Sequence, residues 1–131
     1  MKIHHIGYLV KKLEKAQKQF ETLGFMPMGE NVYDEIRGID ILFMKNGDVV
    51  IELVCPVDEQ SQVSGLVKRL GNSPYHICYE TEDIERAVEE LSGSGYVVVN
   101  PPKAAPAIDG RRVAFLMSAS VGLIELVEIQ Q

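Results

Sequence analysis

Residues 49–56 read VVIELVCP, and residues 122–129 read GLIELVEI. Both are short runs rich in β-branched and apolar residues, the kind that forms a buried strand. Yet each sets a glutamate, Glu52 or Glu125, between an isoleucine and a leucine. A carboxylate removed from water without compensation costs several kcal/mol, so such a group is paired, ligated or protonated. The same tetrapeptide, IELV, in two such runs raises the question of whether the chain itself is built twice.

An offset of 71 residues (76 − 5) lays His5 on His76, Ile6 on Ile77 and Tyr8 on Tyr79. It also lays Leu13 on Ile84, Glu14 on Glu85, Ala16 on Ala87, Gly24 on Gly95 and Phe25 on Tyr96. The offset drifts to 72 (115 − 43) at Phe43 and Phe115, and to 73 (125 − 52) where IELV falls on IELV. Loops that differ by single residues cause such drift while the strand register is kept. Each copy starts with a strand (IHHIGYLV, YHICYET) followed by a helix (KKLEKAQKQFETLGF, DIERAVEELSGSG). In the first helix Leu13, Ala16, Phe20 and Leu23 recur at helical spacing and Gly24 ends the run. Three strand-like stretches follow, at about 26–34, 38–46 and 48–55, the last two joined by a tight KNGD turn. In the second copy they are YVVVN, then RRVAFLM after a Pro- and Ala-rich loop, then GLIELVEI. SQVSGLVKRLG reads as a short connecting helix. The expectation is an α+β fold: one domain over residues 1–131, made of two tandem βαβββ repeats at about 1–58 and 72–131 with a short helical connector.

Composition narrows the partners. The formal charge of −6 argues against nucleic acid or an anionic membrane, both of which need a basic face. No apolar run approaches the length of a membrane span, and MKIHHIGYLV lacks the apolar core of a signal peptide. Cys55 and Cys78 lie in different segments without a CxxC pairing, which excludes a cysteine-based zinc site and a disulfide framework. A cytoplasmic location is the expectation.

Strand alternation then sorts the faces. On the first strand Ile6, Tyr8 and Val10 share the face toward the helices, and His5 and Gly7 share the other. On the fourth, Ile51 and Leu53 take the helix face and Glu52 the opposite one; His76 and Glu125 repeat this in the second copy. One strand histidine or one strand glutamate is an ordinary structural residue. Four of them at repeat-equivalent positions make a candidate divalent-metal quartet of His5, Glu52, His76 and Glu125. Imidazole suits zinc, nickel and cobalt, and carboxylate admits manganese and magnesium. A neighbouring cation also explains how a buried glutamate stays ionised. His4 matches Tyr75 and is read as outside the set, Cys78 as a small apolar filler, and the phenylalanines as core.

A duplicated βαβββ unit that begins HHIGYLVKKLEKA and ends VAFLMSASVGLIELVE resembles the vicinal oxygen chelate superfamily over essentially the whole chain. Within it the chain is most similar to methylmalonyl-CoA epimerases and their glyoxalase I-like relatives, through HHIG, IELVCP, YHICYETEDIERAVEEL and RVAFL followed by GLIELVE. The resemblance implies a half-barrel metal site with ligands at the same four residues and one nickel, cobalt or zinc ion per chain. It implies proton abstraction next to a carbonyl, with the metal as Lewis acid and a carboxylate moving the proton. Glu125 is then the base and Glu52 its partner in the other copy. Asp40 in GIDILFM matches a further catalytic glutamate found on the third strand of some epimerases.

Many epimerases carry HPK and a double glycine before the last strand, where this chain has LMSASVGL. That departure ranks a glyoxalase I-like lyase first, converting a thiol–2-oxoaldehyde hemithioacetal to a 2-hydroxyacyl thioester with glutathione or another thiol as cosubstrate. Methylmalonyl-CoA epimerase is the alternative, and a non-catalytic drug-binding protein a third reading that the intact quartet argues against. Lys103, Arg111 and Arg112 are candidate contacts for a substrate anion, or solvated turn charges. By analogy with the superfamily the chain is expected to be a homodimer.

Overall fold

The computed structural model describes residues 1–129. They fall into two compact units: one spans His5–Tyr75, and the other joins Met1–His4 to the chain from His76 onward. In the second of these, the Glu80 N–H donates to the Lys2 carbonyl at 2.8 Å, which ties the first residues to the later repeat.

The first unit contains β1 (Ile3–Leu9, from His5), α1 (Leu13–Thr22), β2 (Met26–Pro27), β3 (Val32–Asp34), β4 (Ile39–Asn46), β5 (Val49–Pro56) and the connector α2 (Ser64–Leu70). Its strands run in the order β2-β4-β5-β1, with β3 also paired to β4. The β1–β5 pair is parallel and β4–β5 antiparallel. A two-residue turn closes β4–β5, and Gly47 takes φ 58° in it, a left-handed value that glycine adopts without strain. Gly24 ends α1 at φ 98° with Asn46 packed against it, so a side chain there meets both strain and crowding.

The second unit repeats the plan with β6 (Ser73–Thr81, from His76), α3 (Ile84–Ser92), β7 (Val97–Ala104), a 3-10 turn (Pro106–Ile108), β8 (Arg112–Ser118) and β9 (Gly122–Glu128), in the order β6-β9-β8-β7. Again the first strand runs parallel to the last, β6 beside β9, and β8–β9 is antiparallel. Duplication of one α+β unit, inferred from the offset, is thus repeated in the strand pairing.

Each unit has its own core on the helix side. In the first, Val10, Leu42, Met44, Ile51 and Leu53 pack with Ile6, Tyr8, Leu13, Ala16, Phe20 and Phe25. In the second, Ile84, Ala87, Ala114, Leu116, Ile124 and Leu126 pack with Tyr79, Val88, Leu91 and Tyr96. Each fully buried Val, Leu, Ile or Met among them supplies roughly 1.5–3 kcal/mol. The burial also orients every strand, so the residues between them are turned to the other face.

Two stretches differ from expectation. The stretch at 26–34 is not one strand: β2 and β3 pair with separate segments of β4, and the chain between them leaves the ladder. Pro27 has no N–H for the ladder and Gly29 takes φ 123°, so the interruption is written in the residues that flank it. Conversely, the Pro-rich segment read as a loop continues β7 to Ala104. Pro101 and Pro102 are tolerated because β7 is the last strand in its unit's order and its register shifts between Asn100 and Lys103.

Candidate functional site

In the first unit, parallel pairing sets Gly7 of β1 beside Glu52 of β5, and His5 lies two residues before Gly7 on the same face. His5 Nε2 stands 3.4 Å from Glu52 Oε1, with side chains 0% and 7% exposed. Opposite Glu52 on β4 is Phe43, whose ring meets the His5 imidazole edge-on at 5.2 Å and 84°. In the second unit Cys78 of β6 lies beside Glu125 of β9, and His76 precedes Cys78 by two. His76 Nε2 stands 3.0 Å from Glu125 Oε1, with side chains 0% and 5% exposed. Phe115, opposite Glu125 on β8, meets the His76 ring at 5.2 Å and 86°.

The same four-part module is therefore built twice: a histidine, a small residue below it, a glutamate on the parallel neighbour, and a phenylalanine bracing the imidazole. An edge-to-face ring contact is worth about 0.5–1.5 kcal/mol and limits how the imidazole can turn. Phe43 and Phe115 were read from sequence as core residues, and their role against the histidines was missed. The signal was present, since they coincide at an offset between those of the histidines and the glutamates.

Each histidine–glutamate pair fits one edge of a metal coordination shell. Ligands bound at about 2.1 Å lie roughly 3.0 Å apart at octahedral angles and roughly 3.4 Å apart at tetrahedral ones. The observed separations of 3.0 and 3.4 Å match these values. An imidazole nitrogen and a carboxylate oxygen, both nearly dry, are also the donor types that hold borderline divalent ions.

Asp40 does not join this face. It pairs with Cys55 across the β4–β5 ladder, three residues from the Phe43–Glu52 pair, and so points to the opposite side. Cys55 packs against the helix-side core, and its thiol is pushed up by burial, with the Asp40 charge adding to the shift. Strand parity sets Asp40 on the face of Leu42, away from the histidine–glutamate pair. The β4 residues that do share the face of Glu52 are Ile39, Ile41, Phe43 and Lys45; none is a carboxylate, and Lys45 is exposed near the end of the strand.

The three loop cations also separate. Arg112 forks between Glu85 on α3 and Glu128 on β9, and Glu128 accepts the Ile84 N–H at 3.2 Å. This pairing draws the Glu85 carboxyl below its usual range and raises the guanidinium. Arg112 is thus a clamp on α3. Lys103 is exposed on β7, whereas Arg111 is half-buried. Cys78 is fully buried on the His76 face, as expected of a small filler. Among the described residues no helix is long and apolar enough to cross a membrane.

The family model described as the Glyoxalase/Bleomycin resistance protein/Dioxygenase superfamily matches residues 4–115. The ethylmalonyl-CoA/methylmalonyl-CoA epimerase of Cereibacter sphaeroides is 28% identical over 131 residues, covering 98% of this chain and 98% of that protein. Among solved structures, a hypothetical protein of Bacillus halodurans superposes with a TM-score of 0.87 at 27% identity, covering 99% of this chain and 95% of that one. The methylmalonyl-CoA epimerase of Mycobacterium tuberculosis shares the fold with a TM-score of 0.85 at 22% identity, covering 98% and 88%.

Proposed function

Because the chain belongs to the glyoxalase/bleomycin resistance protein/dioxygenase superfamily, we propose that it is a metal-dependent epimerase of a 2-carboxyacyl-CoA thioester, of the methylmalonyl-CoA epimerase type. The observation that carries the reading is the buried histidine–glutamate–phenylalanine module, built twice with nearly the same distances. The similarity to a curated epimerase over nearly the full length of both chains supports the choice of reaction.

In this reading His5, Glu52, His76 and Glu125 together hold one divalent ion. When bound, that ion supplies Lewis-acid stabilisation of the negative charge that develops on a carbonyl oxygen. The chain's own residues move the proton. Glu125 accepts the proton from the carbon between the thioester and the carboxylate, and the electron pair left behind spreads onto the thioester carbonyl. Glu52, its counterpart in the other repeat, returns a proton on the opposite side of that carbon and inverts it. Two carboxylates in equivalent positions of a duplicated fold suit a reaction whose forward and reverse directions are chemically alike. With no other carboxylate on the β4 face beside Glu52, the acid–base work is assigned to these two. Phe43 and Phe115 keep the imidazoles oriented and help to exclude water.

This order reverses the ranking made from sequence, which put the glyoxalase I-like lyase first. Both reactions begin with the same proton abstraction, and the curated relative is an epimerase. A non-catalytic binding role leaves two buried carboxylates without purpose. The active form is further proposed to be a homodimer.

The test is proton exchange. The cobalt- or nickel-loaded protein is incubated with methylmalonyl-CoA in deuterated water, and in parallel with the methylglyoxal–glutathione adduct. Solvent deuterium entering the first with loss of optical purity supports the proposal. Thioester formation from the second, with no exchange in the first, reinstates the lyase.

A further inference from the structure

Arg111 was one of three cations that the sequence left unassigned, and its surroundings set it apart. Its backbone is fixed on both sides: its N–H donates to Ile108 O at 3.0 Å, and its carbonyl accepts from the Ala105 N–H at 2.9 Å. The turn before it is tight, with Asp109 at φ 54° and Gly110 at φ 75°. A left-handed non-glycine residue is a local strain that persists only where the surroundings hold it. Arg111 immediately precedes β8, and continuing that strand's alternation by one residue assigns it to the face of Val113 and Phe115, which pair with Val127 and Glu125. Arg112 takes the other parity and is spent on Glu85 and Glu128.

The Nε atom of Arg111 is buried and has no hydrogen-bond partner among the described residues. A buried, unmatched donor on a permanent cation costs free energy. A fold does not keep such a group without a use for it, and the cost is recovered when an anion docks. Phe115, which braces His76, lies four residues along the strand from Arg111, or about 13 Å between backbones. An arginine side chain extends about 6–7 Å from its backbone, so one directed along that face spans about half of this distance, and a small bound acid can bridge the rest. The phosphates of CoA sit at the far end of a long flexible arm from the reacting carbon. A carboxylate on the acyl group sits next to it.

We propose that Arg111 is the specificity-determining residue that reads the acyl carboxylate of the substrate, through the two-pronged geometry a guanidinium offers a carboxylate. The inference rests on the epimerase reading above and adds to it what selects a 2-carboxyacyl thioester over a simple acyl thioester. Neutralising that carboxylate also lowers the cost of building a second negative charge beside it when the α-proton leaves.

The experiment compares two probes that share the CoA moiety and differ in the carboxylate, malonyl-CoA and acetyl-CoA. Each is titrated calorimetrically into the divalent-loaded protein, as wild type, Arg111→Lys and Arg111→Gln, with circular dichroism to verify the fold. Wild type should favour malonyl-CoA by about 10-fold or more. Arg111→Gln should weaken malonyl-CoA binding by about 10- to 100-fold and leave acetyl-CoA unchanged, with Arg111→Lys between. Equal weakening of both probes overturns the proposal, because it places Arg111 on the CoA moiety. No weakening of either overturns it as well. If wild type exchanges the α-proton of methylmalonyl-CoA yet Arg111→Gln keeps its preference for malonyl-CoA, only the role of Arg111 falls. If wild type binds neither probe and exchanges no proton, the epimerase reading falls and this proposal with it.

Discussion

The two repeat units agree where the chemistry is and differ where the scaffold is. Their histidine–glutamate separations are 3.4 and 3.0 Å, and their phenylalanine–histidine contacts are both 5.2 Å. Their helices are held differently. Helix α3 is capped by Asp83, whose carboxylate accepts the Arg86 N–H at 3.1 Å, and it buries Ile84 and Ala87 completely or nearly so. The Arg112 clamp fastens its first turn to β9. Helix α1 has Lys12 at the capping position with no side-chain bond, and no residue fully buried. A cavity of about 520 Å³ opens beside it, lined by Tyr8, Val10, Ala16, Phe20 and Leu23 with lysines at its rim. A strand face tolerates little change when donors must stay within a coordination distance of one another. A helix can tilt or loosen by an ångström without moving those donors.

The sharpest way to break this comparison is to treat the two glutamates as one. Glu125→Gln should cut epimerisation by about 10²- to 10⁴-fold with the fold retained. Glu52→Gln should do the same, yet each variant should still exchange the α-proton of one enantiomer, and the two should prefer opposite ones. Chiral analysis of the deuterated product checks this. If both variants lose exchange with both enantiomers, the two-base assignment is wrong and the glutamates serve only as ligands.

The next effect is on stability, through the equivalent positions Ile84 and Leu13. Ile84 is fully buried, so Ile84→Ala should cost about 3 kcal/mol. Leu13 is half-exposed and sits on the loosely packed helix, so Leu13→Ala should cost about 1 kcal/mol. Denaturant unfolding of both variants measures the difference, and equal costs would mean that the two helices are packed alike after all.

A smaller effect concerns the caps. Removing the cap with Asp83→Ala should cost about 1 kcal/mol. Supplying the missing one with Lys12→Asp should gain about 0.5–1 kcal/mol. Thermal unfolding of the pair would show shifts of opposite sign.

The smallest effect is electrostatic and depends on pH. Glu85 is exposed and its carboxyl is held below the ordinary range, mainly by the Arg112 hydrogen bond. A lowered carboxyl pKa stabilises the fold above its unfolded-state value and loses that contribution as pH falls through the folded-state value. The difference in melting temperature between wild type and Glu85→Gln should therefore be present near pH 7 and shrink toward zero as the pH drops below the usual carboxylate range. A difference that is constant with pH would assign the effect to packing instead.

The candidate site was more legible in the sequence than its frame. His5, Glu52, His76 and Glu125 could be found by alternation and by the internal offset, because strand parity decides facing and the repeat supplies an independent check. Phe43 and Phe115 obey the same two rules, but an apolar ring against an imidazole carries no polar signal. Asp40 entered through a family match at one position, which says nothing of the way that position faces; its pairing with Cys55 does. The break at Pro27 and Gly29, and the passage of β7 through Pro101 and Pro102, depended on which edge of β4 or β8 was still open.

Sequence alone determined the duplication, the α+β unit, and which residue types share a face, since all three follow from periodicity along one strand. Only tertiary structure decided how Arg111 and Arg112 divide. The two are chemically identical neighbours with the same charge and the same loop before them. One meets Glu85 and Glu128 and becomes a structural clamp, and the other is half-buried with its Nε unmatched among the described residues. Partnership across distant strands is a property of the folded chain, set by which carboxylates arrive beside each guanidinium, and no local pattern encodes it.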